Sequence, residues 1–523
     1  MASSSWFAFL LFGAGALLGA ACTGPLPGDE GTASESGGET GCPIGSLNCL
    51  CTDGNACDEG LVCASNRCVP DETATGETGS SSTGVDPTTS SDVGETTAAS
   101  ECDPGGGGSV DPACPSGQPY CLAGECVDCS GIECAAVSPG EPVCNQNSGL
   151  CDVCACDDAN PVCDPEAHTC GKCTAHDQCS GSACDLWTGA CMPVAAALWV
   201  DMAGACDDAA AGTPDAPLCT LGAAFTRVQA APGEGHAIRV RAGAYEIDAS
   251  LAIPEDGLVA VVHATGGDDD PPVTLAAVAG SRAFEVATGG ALLLDGIGVT
   301  SGGSDALSCS AGKLWLDRLS VSGVTGHGIA TVDCDVKLRR SVLTGNTLSG
   351  AYVSSGAIHI ENSYISSNGN TGDGAGGVYL TSGAALEAVY TSFIDNLAVA
   401  GSPFSVACNE DGDPAIESVF VRNSVAINKG NSTLCDGSTI QRTGWTAKDG
   451  MPGMDNISIT FPEMPMYLTP DPQLPGVYRA IEGTALDQLA TWEAGDPEID
   501  FDGDPRPSGE NSPDFAGADR VSD

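Results

Sequence analysis

A stack of β-strand coils is the architecture that residues 195–523 predict for this chain: an all-β, parallel solenoid, preceded by small disulfide-rich modules and disordered linkers. Three observations predict it. Segments beginning at Ala283, Ala306, Gly328, Gly350, Gly377 and Phe404 repeat one design with a period of 22 to 28 residues. Within each, Val, Ile and Leu alternate with polar residues and the pattern breaks at Gly or Asn, which is strand periodicity punctuated by turns. A single short amphipathic stretch, Leu221 to Ala231, precedes the coils and reads as a helix. One coil cannot bury its own inward face, so neighbours stacked at about 4.8 Å must do so. Coils between Ala237 and Gln441 then make a rod about 40 Å long at that spacing, and the helix covers the apolar end that would otherwise expose a sheet edge.

The first element is a leader, residues 1–21, whose apolar run Trp6–Ala21 is too short to span a bilayer comfortably. It ends in Gly19-Ala20-Ala21-Cys22 and resembles a bacterial lipoprotein signal, which implies lipid on Cys22. The match departs in two places, since the leader has no Lys or Arg and Gly19 stands where Leu is usual; ordinary secretory cleavage is the alternative. Cysteine parity favours the lipid. Apart from Cys22 the chain has 28 Cys, falling into groups of 6 (Cys42 to Cys68), 16 (Cys102 to Cys191) and 6 (Cys206 to Cys435). Even groups suit disulfides in an oxidising compartment, and Cys22 is the odd one out.

Residues 22–41 form a Gly/Ser/Thr/Glu tether and 42–70 a cysteine knot, with turns between six closely spaced Cys. Residues 71–101 are an acidic, low-complexity linker with no means of building a core. Residues 102–194 carry an internal repeat whose starting cysteines, Cys114, Cys134, Cys156 and Cys179, recur every 20 to 23 residues. The pairs Cys126/Cys129, Cys151/Cys154 and Cys170/Cys173 have the spacing of zinc or redox sites, but a Cys-dense secreted array favours structural disulfides. These segments and the linker between them resemble the stalks of surface lipoproteins of myxobacterial type.

The remaining element, 195–523, opens on Val200-Asp201, a Gly-rich loop, Pro217 to Thr220 with Ala223, and the coil Val240 to Tyr245. This order resembles the opening of right-handed parallel β-helix proteins of the pectin-lyase-like superfamily, with Ala242 where that family has Pro. The closing stretch Ile499 to Arg520 resembles the segment that ends many bacterial solenoids. The resemblance implies a right-handed coil and raises the question of polysaccharide chemistry. Within the domain, local spacing pairs Cys206–Cys219, Cys309–Cys334 and Cys408–Cys435.

Gly326-His327-Gly328, with Asp305 about one coil earlier, resembles part of a polygalacturonase-type hydrolase site. Hydrolysis of a glycosidic bond needs paired carboxylates, and here Ser304 and Ala306 flank a single Asp. The favoured reading makes His327 and Asp305 residues of one solvated corner. It also places Asp317, Arg339 and Glu361 in one stacked column and Asp295, Arg318, Arg340 and Asn362 in the next, as a charge ladder, with Leu338 in an inward column with Leu293, Leu316 and Ile360. Asp500, Asp502 and Asp504 form an oxygen-rich turn of the kind that binds calcium, the one cofactor the sequence admits. The Asp268–Asp270 run reads as a solvated loop.

A net charge of −52, from 18 Lys+Arg against 70 Asp+Glu, opposes binding to nucleic acid and to anionic surfaces. The expectation is a surface protein, anchored in the outer membrane through lipid or else secreted, whose β-helix binds a polysaccharide or cell-envelope partner without catalysis. A polysaccharide lyase or glycoside hydrolase is the alternative.

Overall fold

In a computed structural model of the chain, the described residues are 156–521, apart from 165–168, 265–271, 301, 370–375, 398–404, 409–416, 430–434, 436–437 and 447–454, together with short strands before residue 156. Cys22, the leader, the tether, most of the knot and linker, and the Asp268–Asp270 loop lie outside them. The chain divides into two compact units, 1–97 and 98–523. In the first, Leu61–Ala64 and Arg67–Pro70 form an antiparallel hairpin.

Each cysteine repeat contains one such hairpin. Cys121 lies opposite Cys126, Cys144 opposite Cys151, Cys163 opposite Cys170, and Cys184 opposite Cys191. Disulfides join Cys156–Cys170, Cys173–Cys184 and Cys179–Cys191. Cys170 and Cys173 therefore bond away from each other, and no free thiolate pair is left there to hold a metal.

From Leu198 onward the strands build a parallel β-helix. Among the described residues the central coils contribute three strands each. Face A runs through Leu251–Ile253, Phe284–Val286 and Leu307–Ser310. Face B runs from Leu198–Val200 through His236–Val240, Leu258–His263, Ala291–Asp295 and Lys313–Asp317 to Thr439–Gln441. Face C runs from Gly243–Ile247 to Ile457–Ser458. The long strands Ile329–Arg339 and Ala351–Glu361 belong to faces A and B at once, bending at Asp333 and Ser355, whose φ values are 55° and 60°.

The inward column of face B is Leu198, Ile238, Val261, Leu294, Leu316, Leu338, Ile360, Ala388, Val421 and Ile440, each in register with the next. It contains Leu294 where the sequence reading placed Leu293. Leu293 is on the opposite face, against Trp315 and the last cysteine unit. The error is one residue, and in a strand one residue reverses the face.

From Arg318 onward the turns between faces B and C each carry one residue at positive φ: Arg318, Arg340, Asn362, Tyr390, Asn423 and Arg442. The next residue is often Ser or Thr, whose hydroxyl returns to the carbonyl two positions back, as in Ser341, Ser363, Thr391, Ser424 and Thr443. Beyond face C, Asn346, Asn368, Asn396 and Asn428 stack in a buried ladder, each N–H donating to the side-chain oxygen of the Asn one coil on. Hydroxyls and amides thus satisfy the backbone groups that tight corners expose inside the rod.

At the open end the helix Leu221–Ala230 starts at Thr220, which accepts the Ala223 N–H at 3.1 Å. It buries Leu221, Ala224, Phe225 and Val228 against the first strands. After the last coil the chain turns back. Residues 467–521 lie along the corner between faces B and C, contacting Asn362, Tyr390, Asn423 and Arg442. Cys206–Cys219, Cys309–Cys334 and Cys408–Cys435 are disulfides of this domain. The second joins neighbouring coils across an offset, because Cys309 is in register with Thr331 and the bend at Asp333 carries Cys334 toward it.

Candidate functional site

The structure places His327 at a half-buried corner, a correction to the solvated one expected. Its N–H donates to Asp305 Oδ1 at 2.9 Å, and its Nδ1 accepts the Ser349 N–H at 3.1 Å. The ring stacks on Tyr352, with centroids 5.1 Å apart. Burial lowers the His327 pKa, with Asp305 acting the other way. Asp305 turns its second oxygen to Arg282 at 3.6 Å. Both residues hold the turn together, and the carboxylate meets the histidine backbone rather than its ring.

The charge ladder is built differently from its expected form. Asp295 is in register with Asp317, followed by Arg339 and Glu361, so two like charges stack directly. The corner residues relieve them. Arg318 reaches back to Asp295 with bonds of 2.8 and 2.9 Å, and Arg340 to Asp317 with bonds of 2.9 and 2.7 Å. Arg339 pairs with Glu361. Each guanidinium thus fits a carboxylate one coil away by its fork.

Above this ladder sits a cavity of about 380 Å³, within the range of small-molecule sites. Its floor is the outer side of face B and the adjoining corner: Arg239, His263, Asp295, Asp317, Arg318, Arg339 and Arg340. One wall is the last cysteine unit, through Thr174 to Asp177 and Leu186, and Ile499 of the returning segment closes another side. That cysteine unit docks because Ala183, Leu186, Trp187 and Met192 pack against Ala237, Ala260, Val262, Leu293 and Trp315. Lys337 lies over the Trp315 ring at 4.4 Å.

Two of the residues that line this cavity carry a buried donor with no hydrogen-bond partner. His176 is 6 % exposed; its Nδ1 accepts the Cys184 N–H at 3.2 Å, so the proton of the neutral ring sits on Nε2, which is buried and unpaired. Burial lowers its pKa and keeps it neutral against the pull of Asp295 and Asp317. Arg239 gives Nη1 to Ser182 O and Nη2 to Ala264 O, while its buried Nε is unpaired. Leaving such a donor unsatisfied costs about 1–3 kcal/mol. Because Asp295, Asp317 and Glu361 already neutralise three of the four arginines, a guest need carry no charge.

Sequence reasoning found the arginines as a scaffold and missed the cavity. One wall comes from His176 and its neighbours and another from Ile499, both far in sequence from the coils of the floor, and no local pattern joins them. Asp500, Asp502 and Asp504 are brought together, their oxygens within 4.8 Å of one another.

A profile for DUF8331, a family of unknown function, matches residues 90–197 and so ends where the solenoid begins. No curated protein matches the chain. Among solved structures, a rhamnogalacturonan lyase is similar at 12 % identity and a TM-score of 0.36, over 48 % of this chain and 75 % of that one. The crystal structure of pectate lyase Pel9A is similar at 14 % identity and a TM-score of 0.39, over 62 % of this chain and 96 % of that one. The strand order above is what establishes the parallel β-helix.

Proposed function

We propose that this chain is a secreted, lipid-anchored surface protein whose β-helix domain binds a neutral, hydroxyl-rich glycan in the cavity between face B and the last cysteine unit, without cleaving it. The observation that carries the reading is a cavity of small-molecule size whose lining charges are mostly paired, and whose lining residues His176 and Arg239 each hold a buried, unpartnered donor. Sugar hydroxyls accept from such donors and donate to carboxylate oxygens. Anionic polysaccharides are disfavoured by the net charge of −52. Binding rather than hydrolysis is supported because Asp295 and Asp317 are each clamped by a guanidinium at both oxygens, which leaves neither free to act as acid or base. The lipoprotein-like leader that ends at Cys22 supports the anchoring.

The test uses the mature chain with its cysteine repeats, because they form a wall of the cavity. Glycan-array binding followed by titration calorimetry should give a neutral oligosaccharide ligand, weakened about 10-fold or more by His176→Ala, as loss of a buried donor implies. A parallel assay for new reducing ends should stay blank. Cleavage of any glycan would replace this reading with the lyase or hydrolase one, and binding indifferent to both His176→Ala and Arg239→Gln would move the ligand elsewhere.

A further inference from the structure

We infer that a second groove on the outer side of face B binds a linear oligoamine, laid along the rod with one ammonium group at Asp335 and another at Glu387. The groove has a volume of about 400 Å³ and shares no lining residue with the cavity beside the cysteine unit. Its shape follows from two neighbouring outward columns. In one, Asp335, Ala357, Ala385 and Ser418 stand in register on successive coils, so that beyond the carboxylate only small side chains form the floor. In the other, Lys337, His359, Glu387 and Phe420 rise beside them as a wall.

The charges of the groove select the sign of its guest. Asp335 is exposed, and no ion pair reaches its carboxylate among the described residues. Glu387 is met by His359 Nδ1 at 3.2 Å, yet its side chain is still 53 % exposed. The neighbouring cations are already engaged. Lys337 lies over the rings of Trp315 and Trp187 at 4.4 and 5.2 Å, His359 Nε2 meets Glu361 at 3.3 Å, and Arg339 pairs with Glu361. An anionic guest would face two carboxylates, whereas a cation is drawn to them and to a chain of net charge −52.

The spacing makes that cation a long one. Asp335 and Glu387 are separated by two coil steps and two residues along a strand, about 12 Å between their Cα atoms at ordinary sheet dimensions. Between them lie the methyl groups of Ala357 and Ala385. Ammonium groups joined by methylene runs match this order of charge, apolar surface and charge. The Phe420 ring, next in register to Glu387, adds an aromatic face for the cation. A single ammonium on a compact body would meet only one of the two carboxylates.

Titration calorimetry of the full chain with spermidine, at physiological salt so that loose attraction to the acidic surface is screened, should show one saturable site. Asp335→Asn and Glu387→Gln should each weaken it about 10-fold or more, as loss of a charged partner implies. Glu246→Gln, which changes an exposed acid on face C, should leave it unaltered. Both groove acids are exposed, so their variants should melt as the wild type does. Butylamine, with its one ammonium group, should bind at least ~10-fold more weakly than spermidine. Absence of a saturable heat, or a heat indifferent to both Asp335→Asn and Glu387→Gln, would overturn the site. Tighter binding of a glucosamine oligomer than of spermidine would overturn the linear oligoamine as its guest. Glycan binding beside the cysteine unit is scored separately, and its failure leaves this groove untouched.

Discussion

At the residue scale, burial and partners separate two histidines and a leucine that the sequence presents alike as solenoid positions. Leu338 is 0 % exposed in an unbroken aliphatic column, so Leu338→Ala should cost about 2–5 kcal/mol. His327→Ala loses one hydrogen bond and a ring contact and should cost about 1 kcal/mol; equal losses by urea unfolding would contradict the placement of either residue. His359 sits between Lys337 and Glu387 in register, with Nε2 3.3 Å from Glu361 and Nδ1 3.2 Å from Glu387. Burial would lower its pKa, but the two glutamates outweigh burial and raise it. Burial likewise favours the neutral acid at Glu361, and His359 with Arg339 reverses that and lowers its pKa. The histidine contribution is therefore complete below its unfolded value, about 6.5, and fades as pH rises through the raised folded value; the glutamate contribution is complete above about 4.3. The stability difference between wild type and His359→Gln should be widest between those two values and shrink toward alkaline pH. A difference that stays constant across the series would show that the pair does not titrate as a unit.

At the element scale, the coil repeat was legible because alternation and Gly/Asn punctuation recur once in each coil, and the helix was legible from its amphipathic spacing. What was not legible is instructive. The columns slipped by one at Leu293 and Asp295, because a corner made of one residue at positive φ, such as Arg318, looks in sequence like one more strand position. The Asn ladder was equally hidden. Its members are 22, 28 and 32 residues apart across insertions, and only the folded coils bring Asn346, Asn368, Asn396 and Asn428 into line. Asn396→Ala should leave the Asn368 N–H and amide and the Ile365 carbonyl without their bonds at 3.2, 3.1 and 2.8 Å. A loss of about 2–4 kcal/mol is expected from several orphaned buried groups, together with faster hydrogen exchange at Asn368. A neutral substitution would mean that water replaces the ladder.

At the scale of the whole molecule, the candidate cavity was invisible in sequence because its three sides come from the cysteine repeats, the central coils and the last residues. The returning segment holds that assembly. Arg506 is its anchor: the side chain is 0 % exposed, pairs with Asp514 at 3.0 Å, donates to Asn362 at 2.9 Å, and lies between the rings of Tyr390 and Phe515. Arg506→Ala strands a buried carboxylate and should cost about 3–5 kcal/mol. Limited proteolysis should then cut within 467–521 before the coils, and protection equal to wild type would argue against the anchoring role.

A linear array of coils ordinarily peels from a free end, because each coil is held only by its neighbours. The segment that doubles back changes this. It bonds to Asn362, Tyr390, Asn423 and Arg442 on four successive coils, so the terminal coil cannot loosen without also releasing contacts three coils upstream. Pulled from its C-terminus, the domain should resist until that strap tears, then give way across several coils in one event, where an unstrapped solenoid would pay out one coil at a time.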